Sequence, residues 1–175
     1  MTKRITRVVI GIDPGGTTGV ATWFAPTNTF ATFQYPDCDK DEGLHSLIVN
    51  MGSLIKHGEP FLNQEAVHVV LERFEDRLDE RFRTKIDFTA AEVIGALREW
   101  AFPLRPVVRL MRSGASMGKG FWDDDKIKKL GLWVPGQRHA MDAMRHLLRY
   151  KLFTLQHTEL LAPFKPPLHP DFALG

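Results

Sequence analysis

The sequence predicts an α/β domain: a mixed five-stranded sheet in the order βββαβαβα, with helices on both faces. Three observations carry that reading. The runs Val8–Ile12 and Val67–Leu71 are continuously apolar and rich in β-branched residues, as strands covered on both faces are. The first forty residues hold three strand-like segments joined by short turns, which makes an antiparallel meander. Beyond them strand and helix patterns alternate, which makes parallel βαβ units.

The elements follow in order. Val8–Ile12 ends at Asp13-Pro14-Gly15-Gly16, a strong turn signal. A second strand fits Thr18 to Phe24 and stops at Pro26-Thr27-Asn28; a third fits Thr29 to Tyr35 and stops at Pro36. Leu44, Leu47, Ile48, Met51, Leu54 and Ile55 recur at three- and four-residue steps, one face of a helix. Val67–Leu71 ends in Glu72, and residues 72–85 then carry ten ionisable side chains in fourteen positions. Thr89-Ala90-Ala91-Glu92 has the form of a capping box ahead of Val93, Ile94, Leu97 and Trp100 at helical spacing. Pro103 and Pro106 end that helix, and Val107–Leu110 is the fifth strand. Ser113 to Gly120 reads as a loop. Asp123-Asp124-Asp125 caps a short helix through Leu130, and Pro135-Gly136 precedes a final helix from about Arg138 to Leu152. Residues 1–155 make one domain; residues 156–175, with Pro163, Pro166, Pro167 and Pro170, are expected to be an extended or disordered extension.

The length of 175 residues suits a single domain with a sizeable core. Cys38 is the only cysteine, which excludes an intrachain disulfide and fits a reducing compartment. No stretch approaches the ~20 apolar residues that span a bilayer, so a soluble, cytoplasmic protein without a membrane partner is expected. A net charge of +2 excludes a uniformly basic, DNA-coating protein. The distribution is uneven, however. Residues 1–97 carry ten Lys or Arg against fourteen Asp or Glu, and residues 98–151 carry twelve against five. A basic segment of that kind supplies phosphate contacts. Trp122 and Trp133 flank its Lys126–Lys129 run, either as base-stacking groups or as core.

Asp13 and Glu72 each follow a buried strand at its carboxyl end, where open α/β sheets bind ligands. If the two strands are neighbours, the carboxylates converge, and a shared cation is what keeps both ionised. Hard oxygen ligands select Mg²⁺ or Mn²⁺. Singly, Asp13 also serves as a turn residue and Glu72 as a strand-end partner for Arg73 or Arg77. In the final helix His139, Asp142 and His146 lie within about 60° of one another, beside a core face of Ala140, Ala143, Met144, Leu147 and Leu148. The two alanines allow close approach to the sheet. Asp142 also complements the helix dipole, its ordinary role.

With these residues in place, the chain resembles the RuvC-like Holliday junction resolvases of the RNase H-like superfamily, most of all the shorter phage-encoded members. The resemblance rests on Gly11-Ile12-Asp13-Pro14-Gly15, on Val70-Leu71-Glu72, on Ala90 to Ala96 with Gly95 inside a helix, and on His139-Ala140-Met141-Asp142-Ala143. It implies an RNase H-like fold and a metal-dependent endonuclease on branched DNA, usually a homodimer, working in the host cytoplasm if phage-encoded. Carried over, Asp13, Glu72 and Asp142 are metal ligands, and His139 is a ligand or orients the attacking water. Two Mg²⁺ ions, replaceable by Mn²⁺ and ~3.5–4 Å apart, then activate the water and stabilise the leaving 3′ oxygen. Phe74 stands near the place of a junction-probing aromatic residue. Lys119 and Lys126 match the family's late lysines by order, and Arg138 and Arg145 share the final helix with the ligands and face DNA phosphates in this reading.

Other readings stay open. A flap, fork or RNA–DNA hybrid nuclease keeps the chemistry and changes the substrate. A non-catalytic branched-DNA binding module conflicts with the retained carboxylates, which are costly without a counter-ion. A sugar- or acetate-kinase-type ATPase shares the strand order and a turn like Gly11 to Gly19, but needs two such domains.

Overall fold

The computed structural model describes residues 6–56, 66–72, 88–104, 108–113 and 120–164; the side chains of 6–7, 56, 66, 72 and 108–113 lie outside the description. The strands are β1 (Thr6–Asp13), β2 (Thr18–Phe24), β3 (Thr29–Tyr35), β4 (Ala66–Glu72) and β5 (Val108–Ser113). The helices are α1 (Asp41–Lys56), α2 (Thr89–Ala101), α3 (Asp124–Lys129) and α4 (Arg138–Phe153). Strand order in the sheet is β3-β2-β1-β4-β5. β1–β2 and β2–β3 are antiparallel, and β1–β4 and β4–β5 are parallel, so the sheet is mixed.

Side chains alternate along each strand, and that alternation sorts β1 into two cores. Val8, Ile10 and Ile12 join Val67, Val69 and Leu71 under α1 and α2, which contribute Leu47, Met51, Val93 and Leu97. Val9 faces the other way with Ala21, Trp23 and Val70, under Ala140, Met144, Leu147 and Leu148 of α4. Helices therefore cover both faces, and the runs that read as doubly buried strands are doubly buried for this reason.

Two local expectations change. Thr89 is already helical, Phe88 holds the N-cap position, and no side-chain bond caps α2 from it. Thr158–Phe164, expected to be extended, winds into a 3-10 helix that includes Pro163. Its Leu160 is buried, and Leu161 and Phe164 pack on the α4 core. Apolar contacts outweigh the cost of the proline in this seven-residue 3-10 helix. The core-forming unit thus extends past residue 155. No helix among the described residues is long and apolar enough to cross a membrane.

Candidate active site

Asp13 closes β1, paired in register with Gly19 of β2. On its other side the β1–β4 register ends at Ile12 with Leu71, so the backbone of Glu72 is the next step along β4, where it pairs with Ser113 of β5. Asp13 and Glu72 therefore end neighbouring parallel strands at their shared carboxyl end, in the interior of the sheet. The side chain of Glu72 lies outside the described residues, as do Phe74 and Lys119 altogether.

Helix α4 lies directly on the backbone of β1 and β2. A Cβ at Gly19 would sit 2.0 Å from the His139 carbonyl oxygen, and one at Gly11 would sit 2.3 Å from that of Ala143. Ala140 and Ala143 are fully buried on the helix side, as their size suggests. The strand-side glycines complete the fit. Their sequence signal is a lone glycine inside an apolar strand, which marks a close backbone approach.

This seat brings His139 to Asp13, with His139 Nδ1 3.0 Å from Asp13 Oδ2. Asp13 is 9% exposed, while the imidazole stays open to solvent. The start of α4 has no cap of its own, since Gln137 at the N-cap makes no side-chain cap bond. Strand β3 supplies one instead. The His139 N–H donates to Gln34 Oε1 at 3.0 Å, and Thr32 Oγ1 donates to Gln137 Oε1 at 2.9 Å. Thr32 and Gln34 lie two apart on one strand face. Nothing local to Gln34 signals this role, because its partner is 105 residues away.

Asp142 follows on the next turn and is buried at 6% exposure. It is ion-paired with Arg145. The other terminal nitrogen of Arg145 pairs with Asp124 at the start of α3, and Arg145 Nε donates to the Trp122 carbonyl at 2.9 Å. Arg145 was expected to face DNA phosphates. It is instead an internal cation, 8% exposed, because a carboxylate as buried as Asp142 needs a charge-assisted partner. Lys126 is also committed inside the chain: its Nζ donates to the Phe121 carbonyl at 2.6 Å and pairs with Asp123 at 3.0 Å. The Lys126 backbone N–H caps onto Asp123, and with the Lys126 ammonium it holds that carboxyl below its usual range. Arg138 is exposed and remains available at the surface. His146, expected beside His139 and Asp142 on a polar face, is buried at 1% exposure. Trp122 is core.

A cleft of about 780 Å³ opens beside Asp142, lined among others by Asp124, Lys128, Trp133, Arg138 and Arg145. Lys128 Nζ lies 5.1 Å from the centre of the Trp133 ring, a cation–π distance. Among the described residues, no group of three or more His, Cys, Asp or Glu side chains is assembled to hold a metal. The structure joins Asp13 to His139 and sets Asp142 one turn along the same helix. The donor chemistry (two carboxylates of low exposure and an imidazole) fits a hard divalent cation.

Among solved structures, the chain is similar to T. thermophilus RuvC in complex with a Holliday junction substrate, with a TM-score of 0.52 and 21% identity, covering 87% of this chain and 97% of that one. The chain has the RuvC fold. No protein-family model and no curated protein matches the sequence. Asp13 lies on β1 and Asp142 on α4, the two elements brought close at Gly11, as β2 and α4 are at Gly19.

Proposed function

We propose that the chain is a divalent-metal-dependent endonuclease that cleaves branched DNA, with four-way junctions the foremost substrate. The carrying observation is the Asp13–His139 contact at the carboxyl end of β1, with Asp142 one turn further on. The RuvC fold supports the substrate class, because T. thermophilus RuvC was captured with a Holliday junction. Asp13, Glu72 and Asp142 hold Mg²⁺ or Mn²⁺ in this reading, with His139 as a further ligand or as the group that orients water. Bound there, such a cation supplies charge at the phosphate and eases deprotonation of water. Asp13 fixes the tautomer and the plane of His139 through Nδ1. Arg138 and Lys128 supply phosphate contacts at the cleft, and Trp133 a surface for stacking. Symmetric junctions favour a two-fold protein, so the working form is a homodimer.

The test is cleavage of four-way junctions, flaps, forks, RNA–DNA hybrids and linear duplex by the purified chain, with Mg²⁺ and with chelator. Junction cleavage that needs the cation, and that Asp13→Asn and Asp142→Asn abolish while binding persists, is the expected result. Equal cleavage of linear duplex removes junction selectivity. Undiminished cleavage by Asp13→Asn removes the site.

A further inference from the structure

We infer that Asp124, a residue outside the motifs that carry the site, sets the cation affinity of Asp142 through Arg145. The inference rests on the reading of Asp142 as a cation ligand. The Arg145 guanidinium is almost fully buried and has three partners. One terminal nitrogen pairs with Asp142, the other with Asp124, and Nε donates to the Trp122 carbonyl. The side chain is therefore pinned from both α4 and the entry to α3, and its positive charge stays against Asp142.

A fixed cation beside a metal ligand is an electrostatic problem. A full positive charge in contact with a carboxylate opposes the approach of a second cation, and more strongly where water is scarce. Asp124 relieves this. With Asp124 paired to the same guanidinium, Asp142, Arg145 and Asp124 together carry one net negative charge. Without Asp124, Asp142 and Arg145 would form a neutral pair. Asp124 is half exposed at the first position of α3, so the compensating charge is held at the cleft without a second buried acid. Asp123 and Asp125 differ from it. Asp123 is bound to Lys126, and Asp125 is fully open to solvent and contacts Lys128 at 3.4 Å. Asp124 is thus a tuning residue that acts through Arg145, not a ligand.

The experiment titrates the full chain with Mn²⁺ and reads free Mn²⁺ by electron paramagnetic resonance, alongside a thermal melt of each variant. Asp124→Asn keeps an acceptor for Arg145 and removes only the charge. It is expected to weaken Mn²⁺ binding about tenfold at low salt, with the melting temperature close to wild type. Asp124→Glu restores affinity to within about twofold, and Asp125→Asn leaves it within about twofold. Two results overturn the inference while the site reading stands: wild-type affinity in Asp124→Asn, or an equal loss in Asp125→Asn, which would mean general surface charge. Absence of Mn²⁺ binding by the wild-type chain overturns the site reading, and this inference with it.

Discussion

The seat of α4 on the β1–β2 pair can be tested with one methyl group. In Gly19→Ala the new Cβ lies 2.0 Å from the His139 carbonyl oxygen, 2.1 Å from its carbon and 2.5 Å from the Ala140 nitrogen. All three are backbone atoms, so no rotamer change relieves them. Bringing the oxygen contact out to an allowed separation of at least 3.0 Å moves the first turn of α4 by about 1 Å. Overpacking of this kind costs about 1–3 kcal/mol. In a domain of this size each 1 kcal/mol lowers Tm by about 2–4 °C. The same shift carries His139 away from Asp13, and a ~1 Å misplacement at a reacting centre costs on the order of 10²-fold in rate. Urea unfolding measures the first effect, amide shifts of Gln137 to Ala140 the displacement, and junction cleavage the third. Wild-type stability together with unmoved amide shifts would refute the close backbone contact on which the site's geometry depends.

Gly95→Ala has the opposite sign. Position 95 is in the middle of α2 with nothing within 4 Å of a built Cβ, so alanine is expected to stabilise by about 0.5–1 kcal/mol in urea unfolding. Leu160→Ala opens a hole under the 3-10 helix and is expected to cost about 2–4 kcal/mol; a loss below 0.5 kcal/mol would return residues 158–164 to the status of a loose tail. Glu159 gives a pH test. Burial pushes its carboxyl up, but its own backbone N–H, His157 and Lys151 outweigh that and hold it below the usual range. A lowered folded value means that its stabilising contribution is present above the ordinary glutamate range and is lost as pH falls through the folded value. In melts between pH 6 and 3, Glu159→Gln should flatten part of the acid limb; an unchanged limb would show that the His157–Glu159 contact contributes nothing.

Element order was legible because each element has a strong period or punctuation of its own. Asp13 and Glu72 were legible as strand-end acids, and α4 as an amphipathic helix with two small residues against the sheet. What escaped depends on partners far apart in the chain. Gln34 looks like any edge-strand polar residue until the α4 N-terminus arrives beside it. Arg145 has the same spacing from Asp142 as a surface i,i+3 pair, and only the approach of Trp122 and Asp124 turns it inward. Lys126 reads as a basic surface residue, but its long side chain folds back to the Phe121 carbonyl. The proline-bearing segment after α4 forms a 3-10 helix against expectation because composition reports the cost of regular structure and not the apolar cover that Leu160 and Phe164 find.

The Asp13–His139 contact joins residues 126 apart in sequence, which has a consequence for biosynthesis. Domains form from the N-terminus as the chain emerges, at ~5–20 residues per second. Asp13 is in place once the first hairpin and β4 have paired, yet its partner sits on α4 and is made 126 residues later. A nascent or prematurely terminated chain that lacks α4 therefore carries only part of the site, and an exposed Gly11–Gly19 strip where the helix should sit. Such fragments lack the Asp13–His139 contact, so that contact forms only after synthesis has passed His139.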